Sequence, residues 1–145
     1  ASAEHVRRAR RSDVDVLLPL VGGPKAGRAR AVRRIQKSLE SDLYVLERHG
    51  QVCGAVHVVY RRSLAAGGLV ATVDCLAPVP GEPWTAASPD LQLLVETALR
   101  RAQRRGCVAI DAPASDPVLI AELDARGFAQ GRTHLHLTIE KEGCP

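Results

Sequence analysis

The sequence predicts a mixed α/β domain, a central β-sheet of mixed strand direction flanked by helices, in the order β α α β β β α β α β β. Three observations carry this reading. Segments Leu43–Arg48, Val52–Tyr60 and Leu69–Pro78 are apolar and rich in β-branched residues, and they follow one another across turn signals, as in an antiparallel meander. An amphipathic helix then separates the last of them from a short apolar run at Cys107–Ile110. That is the pattern of a βαβ crossover, which pairs strands in parallel. The length of 145 residues, with 46% hydrophobic and 25% charged, suits one soluble domain over 1–145 that buries its own core.

The elements follow in order. Glu4–Arg10 reads as a short strand around Val6. Ser12 is a candidate N-cap, with Asp15 three residues on in a pattern like a capping box. The helix it opens carries Val14, Leu17, Leu18 and Val21, and Pro19 should kink or end it because proline lacks the N–H that a helix interior needs. After a Gly-rich turn, Arg28–Leu39 reads as a second helix with Ala29, Val32, Ile35, Gln36 and Leu39 along one stripe and a solvated basic face opposite. His49-Gly50 is a tight-turn signal between the first two meander strands. The largely apolar Leu69–Pro78 is expected to be a central strand buried on both faces.

Residues 79–87 are irregular. Ser88-Pro89-Asp90 then opens the clearest helix: serine can cap it, proline fits its first position, and an acid suits the positive end of the helix dipole. Its apolar stripe is Leu91, Leu94, Val95, Ala98, Leu99 and Ala102, and arginines crowd its last turns before Gly106. Pro117–Arg126 is a further helix with Gly127 as its C-cap, and Thr133–Glu140 a final alternating strand.

Composition narrows the function classes. No apolar run reaches the ~18–20 residues that span a bilayer, and the Arg-rich start lacks the apolar stretch of a signal peptide, so the expectation is a cytoplasmic protein with no membrane partner. Arginine outnumbers lysine 17 to 3, which reads as coding bias of a GC-rich genome. The net charge is +4, but the basic residues are dispersed and the four aromatic residues offer no stacking platform, so nucleic acid is not the expected partner. Cys53, Cys75, Cys107 and Cys144 show no CxxC spacing, which argues against a zinc knuckle or a disulfide framework. The first three lie in apolar surroundings where cysteine is usually a small buried hydrophobe. His134 and His136 share a strand face without a third partner at a diagnostic spacing, so no metal site is expected.

Several local patterns carry a resemblance. These are Val6-Arg-Arg-Ala-Arg10 before Ser12-Asp13-Val-Asp15, the turn His49-Gly50-Gln51-Val52-Cys53-Gly54, the helix Leu91 to Gly106-Cys107, and Leu119 to Gly127-Phe128. In this order and spacing, covering much of the chain, they resemble the GNAT superfamily of N-acetyltransferases. The resemblance implies a GNAT-like fold and acetyl transfer from acetyl-CoA, as co-substrate, to an amine on a small molecule or peptide, by direct attack on the thioester. A homodimer stays open.

It also implies site residues. Asp74 resembles the family's general base. On residue chemistry alone it is either a base, with a pKa raised by burial, or a plain hydrogen-bond acceptor. By alternation it should share a face with Thr72 and Leu76. Leu76, Ala77 and Val79 match the strand end that holds the pantetheine arm, Ser88 the start of the central helix, and Asp116 a position where many members have asparagine. Asp116 read by itself is a helix N-cap before Pro117.

Two elements depart from the family. The pyrophosphate loop, commonly R/Q-x-x-G-x-G/A, is replaced by Pro78-Val-Pro-Gly-Glu-Pro-Trp-Thr-Ala-Ala-Ser-Pro-Asp90, with one glycine and an acid where a phosphate would sit. Leu123 stands where the family commonly has a tyrosine that protonates the leaving thiolate. Trp84, in the altered loop, is either a lid over a ligand or an anchor for the loop. The alternative function is therefore a GNAT-fold domain that binds a ligand or partner without transfer.

Overall fold

The structure is a computed structural model that describes residues 4–79, 84, 88–112, 117–129 and 137–138. Strands β1 (Glu4–Arg8), β2 (Ser41–Arg48), β3 (Gln51–Ser63) and β4 (Gly68–Pro78) form an antiparallel meander, and β5 (Ala109–Asp111) pairs in parallel with β4. Helix α3 (Pro89–Arg104) is the crossover between β4 and β5. The sheet order β1-β2-β3-β4-β5 is the mixed sheet that the sequence predicts. Among the predicted elements, most of Thr133–Glu140, with His134 and His136, lies outside the described residues, as do Cys144 and Asp116.

Each sheet face has its own core. On one side Leu46, Val56, Val58, Tyr60, Ala71 and Val73 pack against Leu94, Ala98 and Ala102 of α3. On the other, Val45 and Ala55 pack against Val14 and Leu17 of α1 (Val14–Leu17) and Val32 of α2 (Arg28–Lys37). The α3 stripe is buried as its period requires, with Leu99 only partly covered beside Leu91 and Val95. Helix α4 (Pro117–Ala125) adds Leu123 to that third cluster.

The first helix differs from its sequence reading. Only four residues are α-helical, between 3-10 turns at Arg11–Asp13 and Leu18–Leu20, the second of which contains Pro19. Asp13, not Ser12 or Asp15, organises the start. Its carboxylate accepts the Arg10 N–H at 2.6 Å and the Arg7 guanidinium at 2.8 and 3.0 Å. Burial alone would raise its pKa, but Arg7 and the Arg10 amide hold it below the usual carboxylate range. Helix α2 stops at Lys37, so Leu39 falls outside the stripe and is 88% exposed. At the β2–β3 turn, His49 (φ 51°) and Gly50 (φ 76°) both adopt left-handed backbone, the type I′ geometry whose twist matches a two-residue hairpin.

Candidate active site

A β-bulge builds the site. His57 pairs with Cys75 and the next residue, Val58, pairs with Val73, which leaves Asp74 as an extra residue on β4. The extra residue shifts the alternation. Asp74 and Cys75 both line a cavity on the α1–α2 side, whereas Leu76 turns to the other face and packs against the α3 cluster. The expectation that Asp74 and Leu76 share a face is corrected for this reason. The strand is also not buried on both sides throughout. Val70, Ala71 and Val73 are buried, but the Asp74 side chain is 61% exposed.

Asp74 and His57 form a pair. The ring Nδ1–H donates to Asp74 Oδ2 at 3.0 Å, and this bond holds the Asp74 carboxyl below its ordinary pKa. The raised pKa expected from burial is thus reversed, since Asp74 stands at the rim with a donor fixed on it. With Nδ1 bonded to Asp74, Nε2 is the remaining polar atom of the ring. His57 is buried, and its Nε2 has no hydrogen-bond partner among the described residues. A buried polar atom left unpartnered costs about 1–3 kcal/mol, and native folds carry few of them.

The cavity beside this pair has a volume of about 190 Å³. Leu17, Leu20, Val32, Ile35, Leu43 and Ala55 supply its apolar wall, drawn from α1, the turn after it, α2, β2 and β3. His57, Asp74 and Cys75 supply its polar edge. Burial pushes the Cys75 thiol up, which keeps it protonated and unsuited to nucleophilic attack. Burial raises Cys53 and Cys107 in the same way. Among the described residues, no group of three or more His, Cys, Asp or Glu side chains could hold a metal ion.

On the opposite edge of β4 the sheet parts. β5 pairs with β4 only at Val70–Ala109, Ala71–Ile110 and Thr72–Asp111, while β4 continues to Pro78 with no strand on that side among the described residues. The cofactor candidates sit around this end. Ala77 lies opposite Ala55. Val79 is buried in the α1–α2 core, and its N–H is spent on the Cys53 carbonyl at 3.2 Å. Ser88 occupies the N-cap of α3 without a side-chain capping bond, its carbonyl accepting the Gln92 N–H at 3.1 Å.

Sequence reading missed two features here, His57 and Arg48, and left a third, Trp84, open between two readings. His57 carried no motif, because a single histidine in an apolar strand gives no sign of a bulge on the neighbouring strand. Arg48, at the end of β2, ion-pairs with Asp90 in the first turn of α3 and with Glu4. Trp84 packs over Gly54, where a Cβ would lie 3.3 Å from Trp84 Cζ2 and 3.0 Å from Leu94 Cδ1. It also packs against the cluster of Leu91, Val95 and Leu123, which favours the anchor reading of this side chain over the lid.

No protein-family model matches the chain, and no curated protein matches it. Solved structures do. A transcriptional regulator from Bacillus halodurans C-125 is 19% identical, with a TM-score of 0.78 over 94% of this chain and 99% of that one. Glucosamine-6-phosphate N-acetyltransferase from Arabidopsis thaliana is 14% identical, with a TM-score of 0.73 over 94% and 99%. A predicted acetyltransferase from Clostridium acetobutylicum, solved with acetyl-CoA, is 12% identical, with a TM-score of 0.73 over 93% and 96%. At such identities the likeness is one of fold, and the five-stranded mixed sheet with its flanking helices is the fold of GNAT acetyltransferases.

Proposed function

We propose that the protein transfers an acetyl group from acetyl-CoA to a primary amine held at the Asp74–His57 pair. The observation that carries this reading is that pair, set by a β-bulge at the edge of an apolar cavity, with Asp74 on the strand that parts from β5 beyond Thr72. The parted edge fits an extended pantetheine arm, because beyond Thr72 the outward backbone groups of β4 have no strand partner among the described residues. When bound, acetyl-CoA supplies the thioester acyl carbon and a sulfur leaving group.

The chain's own residues then act as follows. Asp74, ionised and exposed, attracts the ammonium form of the amine and accepts a hydrogen bond from it, while the proton that must leave to free the nitrogen lone pair passes to water at the rim. His57 is a positioning residue that fixes the carboxylate through Nδ1–H. The nitrogen lone pair forms the C–N bond as the C–S bond breaks, and the electron pair leaves on sulfur. Buried Leu123 has no proton to give, so a second nitrogen proton reaches the sulfur through water.

Calorimetric titration with acetyl-CoA tests the reading first, and no binding at millimolar ligand overturns it. Asp74→Asn should then lower kcat about 10²-fold or more at unchanged acetyl-CoA affinity, and unchanged turnover removes Asp74 from the mechanism. A second reading, binding without transfer, is favoured by the Arg48–Asp90 ion pair. It puts a carboxylate at the α3 N-terminus, where the family seats a phosphate.

A further inference from the structure

We infer that the amine this site takes is a small primary amine on an apolar body of about seven to eight non-hydrogen atoms, an alkyl or arylalkyl amine rather than an amino sugar or a polyamine. The inference rests on the proposed function for the location of the amine, and on the cavity for its class. Aliphatic side chains, Leu17, Leu20, Val21, Val32, Ile35 and Leu43 foremost, form the wall, and the polar edge among the described residues is His57, Asp74 and Cys75. An apolar cavity of ~150 Å³ accommodates benzene. The 190 Å³ present here takes a body slightly larger.

Charge and hydrogen bonding select within that size. Asp74 is the one carboxylate among the described residues lining the cavity, so one ammonium is matched and further cationic centres would enter an apolar wall unpaired. Ring hydroxyls of an amino sugar would face Leu17, Val32, Ile35 and Ala55, and each unpartnered hydroxyl weakens binding roughly tenfold or more. Each methylene added to an alkyl chain strengthens binding about fourfold while room remains. The affinity of a homologous series therefore rises in steps and levels off once the cavity is full.

The test uses the whole chain without an acyl donor, titrated calorimetrically with n-butylamine, n-hexylamine, n-octylamine, 2-phenylethylamine, glucosamine and spermidine. The expected result is a rise in affinity from butylamine to hexylamine, levelling near octylamine. Hexylamine and phenylethylamine should bind at least tenfold tighter than glucosamine or spermidine. Ile35→Trp, which fills the cavity from α2, should weaken hexylamine binding tenfold or more, with thermal unfolding recorded beside it to verify the fold. Apolar amines that bind no tighter than glucosamine overturn the inference, and so does a series with no dependence on chain length.

The same amines are then assayed for acetylation with acetyl-CoA. Apolar amines that bind and are not acetylated uphold the ligand class and overturn the transfer reading. Acetylation confined to glucosamine or spermidine overturns the ligand class and upholds transfer.

Discussion

At the scale of single residues, two contacts dominate. Gly54 is a glycine because Leu94 and Trp84 come within 3.0 and 3.3 Å of where a Cβ would stand. Leu94 is fully buried and cannot retreat into space. Gly54→Val should therefore destabilise the protein by about 1–3 kcal/mol through overpacking. Urea unfolding checks this, and an unchanged midpoint would show that Trp84 and Leu94 are less tightly held than the distances imply. The second contact is His57 with Asp74, where the role of each residue depends on the other. His57→Gln keeps a donor on a neutral side chain, so it should retain more turnover than His57→Leu at equal acetyl-CoA affinity. Equal loss in both variants would assign His57 a packing role.

At the scale of elements, the β2–β3 hairpin and α3 show local chemistry agreeing with the fold. His49 holds a left-handed φ of 51° at the first central position of the turn, where type I′ hairpins favour Asn, Asp or Gly. His49→Asn converts the turn to Asn-Gly, the pair that type I′ geometry prefers. It should raise stability by about 0.5 kcal/mol, or roughly 1–2 °C in Tm for a chain of this size. In α3, Leu94→Ala should cost about 2–5 kcal/mol, because Leu94 fills the interface with Val56 and Val58. Denaturant unfolding reads the cost, and a loss below ~1 kcal/mol would mean that the interface collapses around the missing atoms. The hairpin was legible in His49-Gly50, and α3 in its apolar stripe from Leu91 to Ala102. The end of α2 was not, since Leu39 fits the helical period and only the turn at Ser38, which redirects the chain into β2, leaves it in solvent.

At the scale of the whole molecule, Asp42 joins elements distant in sequence. Its carboxylate is fully buried and accepts the Tyr60 O–H at 2.7 Å, the Arg8 guanidinium at 2.8 Å, and those of Arg101 and Arg105 at 3.3 and 3.1 Å. Arg8 and Arg101 lie over the Tyr44 ring, and Arg105 lies 4.1 Å from the Tyr60 ring centroid. β1, β2, β3 and the end of α3 are thus tied at one point, and the arginines also complement the negative end of the helix dipole. Burial opposes ionisation of Asp42, but Tyr60, Arg105 and Arg101 outweigh it and bring its pKa down to about 2.

An unfolded aspartate titrates near ~3.9, so the unfolded chain binds more protons between those values. The contribution of Asp42, on the order of 2 kcal/mol, is whole above about pH 5 and drains away as pH falls towards 2. Chemical denaturation at pH 7, 4 and 2.5 should show this loss, and Asp42→Asn should be less stable at pH 7 and flatter with pH. A variant as acid-sensitive as the parent would shift the effect to Asp13, whose pKa is lowered by Arg7. Among the described residues, no helix is long and apolar enough to cross a membrane.

Hydrophobic periodicity and turn residues alone determined the sheet-forming segments, the crossover helix and hence the fold class, because those signals are local and repeat along each element. Asp74 was pointed to by the family resemblance, and it lies at the rim of the cavity. Its partner, its lowered pKa and the cavity beside it were decided by tertiary structure. A bulge is a mismatch between two strands, so neither strand encodes it alone. Likewise Arg48 meets Asp90, and Arg105 meets Asp42, across 42 and 63 residues of chain that only the folded sheet brings together.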